Sequence, residues 1–309
     1  MKVTVTGGTG TLGHASARML LKTGHQVRVF VRSPDKFAQL CKDDRVEVVQ
    51  VDLLDRSALA VLLEDTDAVI HCANFPPHRF NLSFDAARYL LEGLAPGAQL
   101  IYPTNVWAYG PPQDDRVGPD HPKASPARIG GLRGDLEKAI LAHGGIVIHL
   151  PAAYGPRVTG GWVGAAFEGA FAGRKIRQPG SLDRRLELIY IEDAARALIA
   201  PLGRLTMRGR EYTAPGYSPI SLRELAFLIE SATGQSVQLR SRAIGAWRAR
   251  ALLSTKRRLI RDLAYLFECS TLLDGALIRK ELGWSPEIDY EEGVRRTVDW
   301  LGDRGRESV

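Results

Sequence analysis

The sequence predicts an α/β fold in which a doubly wound parallel sheet is followed by a smaller, mainly helical C-terminal portion. Two observations predict it. Short apolar runs alternate with helical segments through the first 150 residues, and this alternation is typical of a parallel sheet. Glycines at positions 7, 10 and 13 lie between the first apolar run and the first helical segment. A chain of 309 residues with 45% hydrophobic residues can bury a core of that size.

The first strand and its glycines predict a dinucleotide-binding (Rossmann) start. Gly7 permits a tight turn off the strand, Gly10 lets a pyrophosphate approach the backbone, and Gly13 lets the helix lie close on the sheet. The phosphates then meet unpaired N–H groups at the start of the helix. A purely structural glycine turn is the alternative, because glycine-rich turns also occur without a ligand.

The other predicted strands follow in order, and a helical stretch precedes each one. They are the apolar runs at residues 27–31, 46–51, 68–73, 99–102 and 146–150. Residues 110–126 are rich in proline and aspartate, which predicts an irregular loop at the carboxyl edge of the sheet. Ligands bind at that edge in folds of this kind.

The organisation changes after Pro151. Residues 155–180 are glycine-rich and loosely helical, residues 186–191 predict a short strand, and residues 192–201 predict a helix. Ser221 and Glu224 have the spacing of a capping box at the start of a further helix. We therefore divide the chain into two parts. Residues 1–157, with 183–205 returning to them, form the dinucleotide-binding part, and residues 158–182 and 206–309 form the substrate-binding portion.

Composition excludes several classes of protein. The chain starts on a strand without a charged and apolar leader, and no apolar run approaches the roughly twenty residues that span a bilayer. We therefore expect a cytoplasmic protein that has no membrane partner. Cys41, Cys72 and Cys269 lie far apart, so neither a disulfide framework nor a metal site is expected.

The formal net charge of +6 is concentrated in one basic segment, residues 235–270. Its cations are interleaved with leucines, isoleucines and aromatics, which predicts amphipathic helices with a solvated basic side rather than a nucleic-acid surface. A lid that favours an anionic or bulky aromatic ligand is the alternative. The cations are Arg240, Arg242, Arg248, Arg250, Lys256, Arg257, Arg258 and Arg261.

Seven short motifs together resemble the extended and atypical branches of the short-chain dehydrogenase/reductase family, which includes nucleotide-sugar epimerases and dihydroflavonol-type reductases. The likeness covers nearly the whole chain. The motifs are TGGTGTLG at 6–13, VDLLD at 51–55, VIHCAN at 69–74, WAYGP at 107–111, LPAAYGP at 150–156, YIEDAARA at 190–197 and ELGWSP at 281–286.

The resemblance implies where a nicotinamide dinucleotide would lie. Asp52 and Leu53 are expected beside the adenine, Ala73 and Asn74 beside the diphosphate and ribose, and Pro151 and Tyr154 near the nicotinamide. For Asp52, capping of the next helix is the alternative. The other implied contacts, apart from the residues at the end of the second strand, are Gly7, Thr9, Gly10, Thr11, Leu12, Gly13, Cys72, Pro103 and Arg133.

The residue that ends the second strand decides between NAD and NADP, because an acid there binds the adenosine 2′-hydroxyl and a cation pairs with a 2′-phosphate. Here the strand ends with Arg32 and Ser33, and the first acid, Asp35, comes after a proline. The guanidinium fork suits a phosphate, and Lys36 can assist it. We predict NADP(H) as the cofactor, against the alternative of an exposed arginine on a solvated turn.

The family's usual catalytic acid is absent. Its chemistry uses a Ser or Thr after the fifth strand and a Tyr with a Lys four residues later. Alignment on residues 135–140 puts Ile129 at the tyrosine position and Arg133 at the lysine position. Isoleucine cannot exchange a proton, whereas the guanidinium can still donate hydrogen bonds to the nicotinamide ribose or the substrate. An ordinary surface arginine is the alternative.

Four residues are candidates for catalysis: Thr104, Asn105, Arg133 and Tyr154. Asn105 takes the usual Ser/Thr position with Thr104 before it, so both are candidates to bind the reacting oxygen. A turn pair that satisfies the strand end is the alternative. Tyr154 is the first proton donor to test, and a water or a substrate phenol would serve equally. Other side chains that could border the cleft are Tyr109, Tyr190, His71, His78, His121 and His149.

These observations predict an NADPH-dependent reductase that acts on a ketone or enone of a small or medium organic molecule. Two alternatives remain. One is a non-catalytic NADP(H) sensor, favoured by Ile129, and the other is a nucleotide-sugar epimerase or dehydratase, which would need a base at position 129. The resemblance also raises a homodimer formed through the helices that precede the fifth and sixth strands, although no residue pattern decides it.

Overall fold

A parallel sheet of seven strands forms the centre of the protein. The computed structural model describes residues 1–41, 43–112, 116–246 and 263–307. The strands are β1 (Lys2–Thr6), β2 (Gln26–Val31), β3 (Val46–Gln50), β4 (Ala68–His71), β5 (Gln99–Asn105), β6 (Arg116–Val117), β7 (Ile146–Leu150), β8 (Ala152–Tyr154), β9 (Ile176–Pro179), β10 (Leu188–Tyr190), β11 (Glu211–Thr213), β12 (Leu239–Arg242) and β13 (Leu272–Leu273). The order β11-β7-β5-β4-β1-β2-β3 confirms the predicted doubly wound sheet.

The described α-helices lie on the two faces of the sheet or in the C-terminal portion. They are α1 (Thr11–Lys22), α2 (Pro34–Ala38), α3 (Arg56–Leu62), α4 (Leu82–Gly93), α5 (Arg128–Ala142), α6 (Gly161–Phe171), α7 (Ile191–Ile199), α8 (Leu222–Thr233), α9 (Ala276–Leu282) and α10 (Tyr290–Glu307). None of the described helices is long and apolar enough to cross a membrane.

Alternate side chains of the central strands lie in two cores, one on each face of the sheet, as the pleat requires. On one face, Ile101 packs with residues of α1, α7 and α9, such as Leu20, Leu198 and Ile278. On the other face, Leu100 packs with residues of α3, α4 and α5. The switch in strand order between β1 and β4 opens a crevice at the carboxyl ends of these strands, and this crevice is where a dinucleotide binds in such folds.

A third core belongs to the C-terminal portion. It joins α6, α8 and α10 through residues such as Phe167, Leu225 and Val294. The helix α8 begins at the predicted capping box, because the Ser221 side chain accepts from Glu224 N and the Glu224 side chain accepts from Ser221 N. The parallel pair of β9 and β12 extends this portion.

The structure extends the central body beyond the predicted boundary at residue 206. The strand β11 pairs in parallel with β7 and completes the sheet, and Ile278 and Leu282 of α9 lie in the core on the α1 face. The sequence gives little sign of this, because β11 is only three residues long and has no apolar alternation.

The basic segment is described only in part. Arg240 and Arg242 lie in β12 and are exposed, so the helical prediction was wrong for these two residues. The other six cations, Arg248, Arg250, Lys256, Arg257, Arg258 and Arg261, lie outside the described residues. The chain is described again at a short 3₁₀ helix, Ala264–Phe267, and then at β13. The strand β13 pairs with β6, which lies within the loop at residues 110–126.

Candidate coenzyme site and active-site cleft

Three glycines of the loop after β1 have no room for a side chain. Gly7 has a φ of +70°, and a Cβ there would lie 2.7 Å from the backbone nitrogen of Ala73. A Cβ on Gly13 would lie 2.4 Å from the Gly7 carbonyl oxygen. Gly8, which the sequence analysis did not single out, is equally constrained, because its Cβ would lie 2.1 Å from Val29 Cγ1. Glycine is therefore sterically required in this turn.

The loop presents its helix terminus to the crevice. Gly10 is the N-cap of α1 and makes no side-chain cap hydrogen bond. Thr9 and Gly10 are exposed, and Thr11 and Leu12 are half-buried. The first N–H groups of α1 thus have no side-chain cap, so they can meet a diphosphate as predicted.

A hydrogen-bonded junction connects β1 to the chain after β4. The Ala73 N–H donates to the Thr6 hydroxyl oxygen at 3.2 Å, and the same hydroxyl lies 2.7 Å from Nδ1 of His71. Burial lowers the pKa of His71 to about 4, so its ring is neutral and Nδ1 can accept. This junction fixes the start of the segment Cys72–Ala73–Asn74 beside the glycine loop.

The end of β2 carries an unpaired cation. Arg32 and Ser33 are exposed, and Arg32 has no carboxylate within 4.0 Å in the part of the chain that the structure describes. Its carbonyl oxygen accepts from Gln50 Nε2 at 3.1 Å, which ties the strand end to β3. Lys36 is exposed on α2. The guanidinium is thus available to an anionic ligand.

Asp52 lies in the turn after β3 and does not cap the next helix. Its Oδ1 accepts from Leu54 N at 3.0 Å, and the side chain is exposed. The cap of α3 is Asp55, whose Oδ1 accepts from Ala58 N. The capping alternative for Asp52 is therefore wrong. Leu53 is half-buried beside it.

The end of β5 differs from the expectation for Thr104. Its buried hydroxyl donates to Glu137 Oε1 at 2.6 Å, so its proton is already committed. Asn105 is half-buried at the N-cap of the 3₁₀ turn Val106–Ala108, where its Oδ1 accepts from Trp107 N. The Asn105 amide nitrogen is the remaining donor at this strand end, and Pro103 is half-buried before it.

Ile129 and Arg133 are both buried, at 6% and 7% exposure. The guanidinium of Arg133 lies 5.0 Å from the centre of the Phe80 ring and 5.2 Å from that of Trp107. Its Nε has no hydrogen-bond partner, and no carboxylate lies within 4.0 Å among the described residues. The alternative of a surface arginine is therefore wrong: Arg133 is a buried cation held by aromatic faces.

A charged cluster that the sequence analysis missed lies one helical turn away. Lys123 Nζ lies 2.9 Å from both Glu137 Oε2 and Glu211 Oε2. His149 Nε2 lies 2.8 Å from Glu211 Oε1, and the Tyr109 hydroxyl donates to the same oxygen at 3.3 Å. Glu137 stands four residues after Arg133, and this spacing places both on one helical face. This four-residue spacing was the sequence feature that could have indicated Glu137.

Tyr154 packs in the C-terminal core. It is 1% exposed, its ring stacks 6.0 Å from Phe167 and 5.7 Å from Tyr290, and its hydroxyl donates to the Asp289 carbonyl oxygen at 3.4 Å. Burial raises the pKa of its phenol well above the ordinary value. This geometry favours a packing role over proton donation. Pro151, three residues earlier, is also buried.

A tyrosine from the C-terminal part of the chain contacts the segment before α5. The Tyr265 hydroxyl donates to the Tyr109 carbonyl oxygen at 2.8 Å and lies 3.3 Å from Ser125 Oγ. A Cβ on Gly130 would lie 2.1 Å from the same Ser125 oxygen. The sequence analysis did not find Tyr265, because it lies 140 positions from Ser125.

Sequence comparisons show what this chain is similar to. Residues 7–94 match a family described as NAD(P)H-binding. The uncharacterized protein y4nG of Sinorhizobium fredii (strain NBRC 101917 / NGR234) is 24% identical over 322 residues, which cover 96% of this chain and 77% of that protein.

Solved structures with the same fold include two sugar-nucleotide enzymes. UDP-glucuronic acid 4-epimerase from Bacillus cereus in complex with NAD has a TM-score of 0.81 and 18% identity, covering 99% of this chain and 98% of its own. The dTDP-glucose 4,6-dehydratase from Bacillus anthracis str. Ames in complex with NAD has a TM-score of 0.80 and 16% identity, with the same coverage.

These comparisons confirm the predicted α/β fold with its doubly wound parallel sheet. The chain has a seven-stranded Rossmann sheet, and its N-terminal residues match an NAD(P)H-binding family. Backbone contacts within the protein require Gly7 and Gly13, and the start of α1 at Gly10, which no side chain caps, is where a diphosphate is expected. A nicotinamide dinucleotide therefore fits the residues present.

Proposed function

We propose that the protein is an NADP(H)-dependent oxidoreductase that reduces a ketone or enone of a small or medium organic molecule without a phenolic acid. One observation carries the proposal. Arg133 is a buried cation without a carboxylate partner among the described residues, one turn from Ile129, where the resemblance expects the acid. A buried, unpaired charge is costly unless something binds it.

The choice of NADP(H) rests on the end of β2. Arg32 is exposed and without an acidic partner in the described chain, and Ser33 and Lys36 stand beside it with exposed side chains. A guanidinium pairs with a phosphate through two parallel hydrogen bonds. The two solved neighbours named above are complexes with NAD, so the preference for the 2′-phosphate depends on Arg32 in this chain.

The residues of the cleft suggest how the reaction could proceed. The coenzyme, when bound, supplies the hydride. The substrate oxygen gains negative charge during reduction, and fixed donors aimed at that charge stabilise it. Arg133 and the Asn105 amide are the donors that the cleft offers, whereas Ile129 gives no proton. An enone is favoured over a ketone, because the negative charge of its enolate product is delocalised and the enolate oxygen is less basic than an alkoxide oxygen, so a protein acid is needed less and water can supply the proton.

Coenzyme titration tests the NADP(H) assignment. We expect NADPH to bind at least about tenfold more tightly than NADH. Arg32→Asp should reverse that preference, because an acid at this position favours the 2′-hydroxyl. Arg45→Gln is a matched control, since Arg45 is exposed and paired with Asp43. Equal affinity for the two coenzymes, or unchanged NADPH affinity in the Arg32→Asp variant, would contradict the assignment.

A panel of ketones and enones with NADPH tests the reaction. We expect turnover with enones before ketones, and a loss of about a hundredfold in kcat in the Arg133→Met variant. Arg128→Met, on the exposed first turn of the same helix, should keep the wild-type kcat. Full turnover in Arg133→Met would show that this cation plays no part in the reaction.

Two alternatives have an observation in their favour. The buried isoleucine at position 129 suits a non-catalytic NADP(H) sensor, which would bind the coenzyme and turn over no carbonyl compound in the panel. The neighbours' names favour a nucleotide-sugar epimerase or dehydratase. That chemistry first removes a proton from a sugar hydroxyl, and Ile129 supplies no base for it. Incubation with UDP-sugars and NAD separates this alternative from the other two.

A further inference from the structure

A cavity lies along α1 and begins at Thr11, the first residue of the helix after the glycine loop. Its volume is about 620 Å³. Thr11, His14, Arg18 and Lys22 line it at helical spacing, so it follows α1 from its first residue to its last. Arg157, in the turn after β8, forms the opposite wall.

The cations of this cavity lack acidic partners. Arg18, Lys22 and Arg157 have no carboxylate within 4.0 Å among the described residues. The two acids that line the cavity are already engaged. Asp43 pairs with Arg45 at 2.6 Å, and Glu192 lies 3.4 Å from Arg296. The described part of the wall therefore carries uncompensated positive charge.

Two buried nitrogen atoms at the cavity have no partner. His14 is 4% exposed, and its Nδ1 makes no hydrogen bond; the Nε of Arg157 is likewise buried and unbonded. Burial, Arg157 and Arg18 together lower the pKa of His14 to about 4. Buried polar atoms are rarely left without a partner unless a ligand or water completes them.

The backbone holds Arg157 in this position at a conformational cost. Its φ of +68° makes it the one non-glycine residue with positive φ in the described chain, and such strain is characteristic of functional positions. The Thr11 hydroxyl donates to the Arg157 carbonyl oxygen at 3.0 Å, which fixes the turn against α1. The side chain is thus held beside His14 and Arg18 rather than released to solvent.

We infer that this cavity binds a ligand carrying a phosphate group, held by Arg18, Arg157 and His14, none of which is assigned to the coenzyme. A phosphate group accepts several hydrogen bonds at once and matches two guanidinium forks. The cavity is larger than a free phosphate needs, so a phosphorylated small molecule also fits. This inference does not depend on the proposed redox function.

Titration of NADPH-saturated protein at constant ionic strength tests the inference, because the coenzyme crevice is then filled. The probes are inorganic phosphate and ribose 5-phosphate, followed by calorimetry and by the ring ¹⁵N signals of His14. We expect saturable binding with a Kd on the order of 1 mM or tighter, together with a shift of the His14 signals. Tighter binding of ribose 5-phosphate would identify an organic phosphate, and tighter binding of inorganic phosphate would identify the free anion.

Variants locate the binding. Arg157→Gln and Arg18→Gln should each weaken it by about tenfold or more. Arg18 is exposed, so its replacement leaves the fold intact even if Arg157→Gln does not. Arg128→Gln, an exposed arginine of α5, is the matched control. The inference is overturned if neither probe binds saturably, or if Arg18→Gln binds both as the wild type does. If the protein does not reduce carbonyl compounds, the phosphate binding that we expect in this titration stays the same.

Discussion

Two buried cations on the α5 side of the sheet have opposite surroundings. Lys123 lies between Glu137 and Glu211, at 2.9 Å from an oxygen of each. Arg133, one turn before Glu137 on the same helix, lies between the rings of Phe80 and Trp107 and has no carboxylate within 4.0 Å in the described chain. The first charge is neutralised within the protein and the second is not.

This difference distinguishes a charge that stabilises the fold, that of Lys123, from a charge that binds a ligand, that of Arg133. Removal of one partner from a buried ion pair leaves an uncompensated charge and is strongly destabilising. A buried cation that lies on aromatic rings and has no carboxylate partner is only partly compensated by the protein, so we expect a ligand to pair with it. Lys123 should therefore matter for stability, and Arg133 for binding. The predictions that follow test this division.

The largest effect is expected from Lys123→Met. This substitution leaves Glu137 buried at 0% exposure without its ammonium partner, so the free energy of unfolding should fall by about 3–5 kcal/mol. Urea unfolding measures it. Lys138→Met, an exposed lysine of the same helix, is the control and should change stability by less than about 0.5 kcal/mol. A loss below about 1 kcal/mol for Lys123→Met would contradict the structural role.

Glu187 is a buried carboxyl whose hydrogen bonds come from backbone groups rather than from a cation. It accepts from Leu273 N at 2.9 Å, and burial raises its pKa to about 7. The native state then holds a proton that the unfolded state releases above pH 4.5. The contribution of this proton to the free energy of unfolding is complete below pH 4.5 and is lost as the pH rises through 7.

Glu187→Gln should therefore remove a pH dependence of stability. At pH 8 the free energy of unfolding of the variant should exceed that of the wild type by roughly 3 kcal/mol, and at pH 4.5 the two should be nearly equal. Urea unfolding at the two pH values measures the difference. Glu291→Gln, an exposed acid of α10, should leave the slope unchanged. A variant that is less stable than the wild type at pH 8 would mean that the carboxylate form is the native one.

Thr104→Val tests whether this hydroxyl belongs to the Lys123 cluster or to the reaction. Because it donates to Glu137 Oε1, its loss should lower the free energy of unfolding by about 1–2 kcal/mol while kcat with a carbonyl substrate changes less than about twofold. Thr104→Ser keeps the hydroxyl and should restore stability. A large fall in kcat at unchanged stability would show instead that Thr104 binds the reacting oxygen of the substrate.

The smallest effect is expected from Tyr154→Phe. Its hydroxyl makes one long hydrogen bond, 3.4 Å to Asp289 O, so stability should fall by less than about 1 kcal/mol and kcat should not change. Tyr290→Phe is the comparison. That hydroxyl donates to Ser218 O at 2.7 Å and contacts Leu188, so its loss should cost more. A kcat that falls in Tyr154→Phe alone would identify Tyr154 as the missing acid.

The sequence predicted the coenzyme half of the molecule because its determinants are local. Gly7, Gly10 and Gly13 are fixed by one turn, and Arg32 follows directly from the end of an apolar run. The capping box at Ser221 and Glu224 is local as well. Patterns of this range depend on backbone sterics within a few residues, and those can be recognised without the tertiary structure.

The charged cluster could not be predicted in the same way. Lys123 lies in an irregular loop, Glu137 on α5, and Glu211 on a three-residue edge strand 88 positions from Lys123. Only the fold brings them together. The burial of Arg133 between Phe80 and Trp107 has the same origin, since an apolar stripe predicts which face of α5 is buried but not which aromatic rings cover it.

The central claim is that the partner of the Arg133 charge is a ligand rather than another group of the protein. The most direct test is the free energy of unfolding of Arg133→Met, measured with and without saturating NADPH. We predict a change of less than about 1 kcal/mol without coenzyme, and with NADPH a stabilisation smaller than that of the wild type by about 1–2 kcal/mol. A coenzyme-free variant as unstable as Lys123→Met, or a full NADPH stabilisation, would contradict the claim.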